Sequence, residues 1–487
     1  MSDPVNDLAM PSRLGAAGLW AGPAIALGML FAGAPEGLPP AGWTTLALLA
    51  WMAVWWISEA VPVAMTALLP LALLPLLGAT TPAAAAAPYA DPIIFLFIGG
   101  FMLAMAIERW GLHTRIALAV AGGLGTRPIA LVAGFLLAAA LLSMWISNTA
   151  TALMLMPTAI GVVRATTPVG AEPSRRFAAA LVLAVAYGAS IGGIGTPVGS
   201  PTNLVAMGYL ERNGLSLAFV DWMLLALPIM VAMLAAAWAL LAFEVRGVTH
   251  GTLAAGDAIA RERARLGTMA APERRVALVF GGVALAWMAS PWLSRLPGLG
   301  TLNDTTIALL GALALFILPS GDPVRRGRLL DWATAERLPW GVALLFGGGL
   351  SMAAAMNATG VTPWLADSMA GYGTLAPLVV LLLLVAITVF ASELASNTAT
   401  LAAVLPVVGA FSIAAGLPAL ELAFAASMAA SLAFMLPIGT PPNAIAYATG
   451  WPSMATMCRI GLGLNLVAIP TIALLSHWLS PWVLPAP

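Results

Sequence analysis

The chain has 487 residues, 61% of them hydrophobic and only 8% charged, and its mean hydropathy is +0.97. Soluble domains carry about 25% charged residues, so this composition excludes an ordinary water-soluble protein and points to many membrane spans. The 20 basic residues cancel the 20 acidic ones, which removes the electrostatic footprint expected of a nucleic-acid partner. Every basic residue is arginine. Without lysine there is neither a GK[ST] phosphate loop nor a Schiff-base nucleophile. Cys458 is alone, so no intrachain disulfide can form. The abundance of Ala, Gly, Pro and Arg fits a GC-rich bacterial gene.

A helical crossing takes roughly 20 apolar residues. Residues 1–40 read as a short polar segment (Asp3, Asp7, Arg13) followed by a first span at 15–33. No small-residue cleavage site follows that span, so it is not taken as a signal peptide. Further crossings are predicted at 42–58, 61–78, 91–110, 219–243, 276–293, 304–319, 339–358 and 460–480. Two long stretches, about 128–164 and 375–413, carry polar clusters at their middles and read as hairpins that enter and return. Two others, about 176–212 and 420–450, are interrupted by glycine and proline and read as broken helices. Residues 244–275 and 320–338 are arginine-rich loops, and 481–487 form a tail.

With a cytoplasmic N-terminus and re-entrant hairpins, every arginine except Arg212 and Arg295 falls on the cytoplasmic side. The positive-inside rule favours that topology, which puts the C-terminus outside. Making both hairpins full spanning pairs leaves the parity unchanged.

An internal repeat organises the chain, with halves at 41–243 and 276–480. Phe97, Gly99, Gly100 and Gly111 recur as Phe346, Gly348, Gly349 and Gly360. At the same offset, Ser143 falls on Ser392 and Ser147-Asn148-Thr149-Ala150-Thr151 on Ser396-Asn397-Thr398-Ala399-Thr400. Further on, Gly199-Ser200-Pro201-Thr202-Asn203 meets Gly439-Thr440-Pro441-Pro442-Asn443. An odd number of crossings separates equivalent elements, so the halves are inverted, as in many secondary transporters. The predicted fold is an all-α polytopic membrane protein: an inverted-repeat transporter with about eleven spans, two re-entrant hairpins and two broken helices.

The paired polar strings carry the chemistry. Serine and threonine in membrane helices often just bond the preceding turn. An asparagine at membrane depth costs more, and its recurrence at equivalent points of two repeats argues for function. Ser, Asn and Thr are favoured N-caps, so each string would start a returning helix whose N–H groups and dipole face an anion. The hydroxyls can donate to carboxylates while the asparagine carbonyls face cations. The glycine–proline clusters would unwind their helices, and bare carbonyls at membrane depth are tolerated only around a cavity or ion.

Other motifs fail. Gly188-Ala189-Ser190-Ile191-Gly192 fits G-x-S-x-G, but it lacks the strand–turn–helix setting, and His113, His250 and His477 map to membrane edges or loops. An intramembrane hydrolase is therefore the rival class with little support. Glu393 is the one acid placed within a hairpin, where a helix-stabilising hydrogen bond and proton or cation coupling are both open. Glu59, Glu108 and Asp91 sit at predicted span ends, where solvation explains them.

On these paired strings, together with the Ser392-Glu393 lead-in, the chain resembles the divalent anion/sodium symporter family, the INDY-type dicarboxylate transporters. The resemblance covers roughly residues 40–480. It implies a homodimer with scaffold and transport domains, elevator-type movement, and no enzymatic activity. By motif position it implies a first sodium site at Ser143, Ser147, Asn148 and Gly199, and a second at Ser392, Ala395, Asn397 and Gly439. Substrate contacts would come from Ser147, Asn148, Thr149, Ser200, Ser396, Asn397, Thr398, Thr440 and Pro441. The expected activity is sodium-coupled symport of a C4-type dicarboxylate across a bacterial inner membrane, with at least two sodium ions and no organic cofactor. A dicarboxylate/citrate exchanger and a sodium/sulfate symporter of the same family are the alternatives.

Overall fold

The computed structural model describes residues 13–167, 173–248, 252–324, 326–369, 376–415 and 417–483. The polar start with Asp3 and Asp7, His250, Arg325 and the last four residues of the expected tail lie outside them. The described residues are helical throughout, apart from one isolated bridge between Pro319 and Arg328. Proline, plentiful in the sequence, mostly sits where a helix tolerates it. Pro40, Pro82, Pro128, Pro201, Pro377 and Pro441 all open helices, where the missing N–H costs nothing.

Nine of the described helices are long and apolar enough to cross a bilayer, and shorter apolar helices accompany them. The protein is an all-α, multi-spanning membrane protein; the first hairpin and both broken helices are present, and the second polar string likewise separates two helices. Two predicted crossings differ in detail. The stretch 61–78 is split into Val63–Thr66 and Leu69–Leu76, because Pro70 cannot donate to the Thr66 carbonyl. The stretch 304–319 forms only Asp304–Ile317. Leu112–Ala121 and Val361–Met369, at equivalent points of the repeat, form helices the span pattern had left unassigned, as does Thr252–Leu266 within the first arginine-rich loop. Asp91 is buried rather than solvated at its span end, whereas Glu59 and Glu108 are exposed as expected.

The chain forms two compact units, each drawing on both halves of the repeat. The first comprises Met1–Asp91, Pro339–Leu375 and Thr398–Ala419. Its core packs Leu48, Met52 and Trp56 with Leu345, Met352 and Met356. Gly348 allows its helix to lie against the Ala67 backbone, which any Cβ there would strike.

The second unit comprises Pro92–Leu338, Ala376–Asn397 and Leu420–Pro487. At its centre lie the leading arms of the two broken helices. Every residue from Phe177 to Gly193 is buried, and so is every residue from Leu420 to Ser431. Such a helix, small and apolar all round, is a core element rather than a lipid-facing one. By contrast, only 28% of the span Ala271–Leu293 is buried, with Leu278 and Leu285 turned outward. Charges gather at helix ends. Arg109 pairs with Asp331 at 2.6 Å, and Arg115 with Glu273 at 2.9 Å. The Arg109 guanidinium and the Thr334 hydroxyl hold the Asp331 carboxyl well below the usual carboxylate range.

Candidate substrate and cation site

In the first half, Pro128–Ser143 turns at Met144–Ile146 into Asn148–Thr166. Ser147 is the N-cap, its hydroxyl accepting the Ala150 N–H at 3.2 Å, and residues 147–150 remain half-buried at the tip. The neighbouring helix Arg175–Gly193 then unwinds, and helix resumes at Pro201–Arg212. Pro197 and Pro201 cannot donate to a continuing ladder, so the break follows from the sequence. Asn203 clamps the unwound segment, its amide nitrogen donating to Gly193 O at 2.8 Å and Thr196 O at 2.7 Å.

The second half repeats this arrangement. Pro377–Ser392 leads through a short turn into Asn397–Ala415, and Ala419–Ser431 unwinds before Pro441–Ala448. Asn443 donates to Ala433 O at 3.1 Å and Leu436 O at 3.2 Å, the equivalents of Gly193 and Thr196. The repeat seen in the sequence therefore holds for individual hydrogen bonds. Asn203 and Asn443 belonged to the quoted motifs, but their role as clamps emerges only from the fold.

Each tip meets its broken helix in a cluster of oxygens. Ser143 donates to Asn148 Oδ1 at 2.6 Å. At Gly199, the place a Cβ would occupy lies 2.6 Å from Gly193 O, 2.9 Å from Ser143 O and 3.0 Å from Met144 O. Only glycine fits among these carbonyls. Asn148 Oδ1 also abuts Gly193, which no larger residue could replace. Three of the four residues expected at the first cation site, Ser143, Asn148 and Gly199, are thus brought together, with Gly193 and Met144 added.

In the second cluster, the single Ser392 hydroxyl proton goes to Ala430 O at 2.6 Å, and the same oxygen lies 2.9 Å from one end of the Asn397 amide. The same end of the Asn397 amide lies 3.1 Å from Ala430 O and 3.2 Å from Gly439 O. An amide oxygen facing two carbonyls is repulsive. Either the amide turns its nitrogen toward them or a cation sits among them. The donors in both clusters are carbonyl, amide and hydroxyl oxygens, a set suited to a hard cation such as sodium. Among the described residues no group of His, Cys, Asp and Glu could hold a transition metal. Ala395 is buried between Ser392 and Asn397.

The halves differ in how the unwound segments are anchored. In the first, the Thr196 hydroxyl donates to Met144 O. In the second, Glu393 replaces Met144, and its carboxylate accepts the N–H groups of Phe434, Met435 and Leu436 at 2.7, 2.9 and 3.0 Å. Asn465 adds a fourth bond at 2.8 Å. Glu393 thus fastens the broken helix, which favours the hydrogen-bonding reading over proton coupling.

The two halves are joined through hydroxyls, of which Ser200 and Thr202 lay in a quoted motif and Ser431 had been missed. Ser200 and Thr202 lie 2.7 Å apart, Thr202 and Ser431 2.6 Å apart, and Ser431 donates to Ser427 O at 2.9 Å. The Ser427 carbonyl can only accept, so it orients the chain: Thr202 donates to Ser431 and Ser200 to Thr202. Asn397 Nδ2 approaches the Ser431 carbonyl at 3.5 Å. Ser431 had no signal in the sequence, because its repeat equivalent is Ile191. Thr440 is the N-cap of its helix, accepting the Asn443 N–H at 3.3 Å, and Pro441 is exposed. Ser396 and Thr398 are half-buried, as are Ser147 and Thr149, but Thr398 belongs to the first unit. Ser190 is buried without a hydrogen-bond partner, while His113 contacts Ile107 O and His477 contacts Glu421.

Residues 16–484 match the family described as "Sodium:sulfate symporter transmembrane region". The chain belongs to this family. The sodium:sulfate symporter family is one of transporters, not enzymes, which agrees with the resemblance carried by the paired strings. Among its relatives, the chain is 37% identical to the sodium-dependent dicarboxylate transporter SdcS of Staphylococcus saprophyticus over 475 residues, 96% of this chain and 92% of that one. It is 35% identical to the protein of the same name from Staphylococcus aureus strain USA300, over 96% of this chain and 91% of that one. The crystal structure of the Alcanivorax borkumensis YdaH transporter has a similar fold, with a TM-score of 0.54 at 16% identity over 91% of this chain and 99% of that one.

Proposed function

We propose that the chain is a sodium-coupled symporter of C4-type dicarboxylates such as succinate, malate and fumarate. The observation that carries this reading is the pair of equivalent oxygen clusters at Asn148 and Asn397, each beside a helix N-terminus. Sodium would occupy them through Ser143, Ser147, Asn148 and Gly199 in one half and Ser392, Ala395, Asn397 and Gly439 in the other. The half-buried tips Ser147–Thr149 and Ser396–Thr398 would hold the two carboxylates, with Ser200, Thr440 and Pro441 closing the site. The names of the relatives support dicarboxylate over sulfate, and two separated tips suit an anion charged at both ends. Uptake of labelled succinate into proteoliposomes should require an inward sodium gradient, and excess malate should suppress it far more than sulfate. Stronger competition by sulfate would favour the sulfate symporter, and uptake driven by an internal anion without sodium would favour an exchanger.

The same reading includes a homodimer, elevator-type movement between scaffold and transport domains, the repeat boundaries 41–243 and 276–480, and a bacterial inner-membrane location. The N-terminus is cytoplasmic, as the arginine-rich loops 244–275 and 320–338 favour. In a Cys458→Ala background, cysteines replacing Ala260 and Trp482, both exposed, should react with an impermeant thiol reagent from opposite faces. Labelling from one face would refute the inverted arrangement.

A further inference from the structure

Away from the oxygen clusters, the second unit holds a cavity of about 450 Å³ lined by Arg175, Arg176, Glu244, Trp451, Thr456 and Arg459, among others. Three guanidiniums face one carboxylate there. Glu244 is taken by Arg459, at 2.8 Å. Arg175 reaches only the Gly450 carbonyl, at 3.4 Å, and Arg176 has no ion pair among the described residues. Both are exposed at the mouth of the cavity.

Two long helices also begin at this cavity. Arg175–Gly193 opens on it, and its N-cap Ser174 makes no side-chain capping bond. The 30-residue helix Met454–Val483 starts beside Ser453, another lining residue. Each N-terminus contributes about half a positive charge; at the second, the Ser453 hydroxyl already accepts the Thr456 N–H at 3.1 Å, which leaves the N–H groups before it as donors. Two such ends and two arginines without an ion pair among the described residues make a concave pocket whose described side chains carry more positive than negative charge. Guanidinium forks and helix N-termini are the groups that match the oxygens of a phosphate. Trp451 at the rim and exposed Phe243 beside it are residues typical of the membrane–water interface. Arg176 lies 17 residues along its helix from Gly193, about 25 Å at a rise of roughly 1.5 Å per residue, so the pocket is separate from the cation clusters.

We propose that this pocket is a binding site for a phosphate group. The phosphate is carried either by an anionic lipid headgroup or by a small soluble anion, since the recognition chemistry is shared.

The test uses the full chain purified in detergent and in nanodiscs, with inorganic phosphate and phosphatidylglycerol as probes. In detergent, phosphate is titrated at low ionic strength by calorimetry. In nanodiscs, lipid retained by the protein is counted by native mass spectrometry, from phosphatidylcholine with or without phosphatidylglycerol. Arg175→Gln/Arg176→Gln should weaken binding about tenfold or more, while Arg175→Lys/Arg176→Lys should keep most of it. Saturable phosphate binding lost in the glutamine pair identifies a soluble anion. Selective retention of phosphatidylglycerol, lost in the same pair, identifies a lipid headgroup. Binding of neither probe, or binding unchanged in the glutamine pair, would overturn the proposal. Because both arginines are exposed, the melting temperature of the glutamine pair should match that of the parent, and the lysine pair controls for charge if it does not.

Discussion

Alanine at Asn148 or at Asn397 should abolish sodium-driven uptake while leaving the protein folded. Each side chain sits where a hairpin tip meets an unwound segment, and each is hydrogen-bonded to the serine that precedes the turn. On the proposed mechanism each also faces a sodium ion and the substrate, so one truncation removes two charge-facing contacts. A hydrogen bond to a charged group contributes about 1.5–3 kcal/mol, and roughly 1.4 kcal/mol is tenfold in affinity. Losing two such contacts predicts a decrease of a hundredfold or more in uptake at limiting substrate. Asn397→Asp would keep the oxygen but lose the alternative in which the amide nitrogen satisfies Ala430 O and Gly439 O. It should therefore separate cation binding from simple packing. Near-normal uptake by both alanine variants, with unchanged melting, would remove these residues from the site.

The second large effect is expected at Glu393. Four N–H donors converge on its carboxylate, three from consecutive backbone positions of the broken helix and one from Asn465. Glu393→Ala would leave them buried and unpaired, at about 1–3 kcal/mol for each. The variant should melt many degrees lower and lose sodium dependence together with uptake, because Gly439 hangs from the same segment. Glu393→Gln should be intermediate. It keeps the Oε1 acceptor for three donors but turns an amide nitrogen toward the Leu436 N–H. An alanine variant with parental stability would show that the segment is held by other contacts. Normal uptake by glutamine with a flattened pH profile would instead revive proton coupling.

Much of this site was visible in the sequence because the repeat marks it twice. Ser-Asn-Thr at membrane depth and Gly-x-Pro-x-Asn at a second equivalent pair are polar or helix-breaking where neither is tolerated without a reason. The family resemblance also grouped Ser143 with Asn148 and Ser392 with Asn397. What stayed hidden depends on long-range contacts or on asymmetry between the halves. Ser431 replaces an isoleucine of the other half, so the repeat carried no hint of it. Glu393 was visible as an intramembrane acid, but its partners lie some forty residues and more along the chain, so its two readings could not be separated. Asp91 looked like an interfacial acid because hydropathy locates a span end without showing what packs over it. The split before Pro70 could have been read from proline alone, but the continuous apolar run masked it.

Sodium dependence of binding tests the central claim most directly. A dicarboxylate brings two negative charges to the unwound segments, and an uncompensated buried ion costs several kcal/mol. The chain has no lysine, and no arginine falls between Ser143 and Asn148, Gly193 and Pro201, Ser392 and Asn397, or Ser431 and Pro441. Two helix N-termini supply only about half a charge each, leaving the anion roughly one unit short before any cation binds. The oxygen clusters at Asn148 and Asn397 would take that charge from solution as sodium. Succinate binding to purified protein should therefore be tight in sodium chloride and fall by orders of magnitude in choline chloride at matched ionic strength. Equal affinity in the two salts would contradict the account.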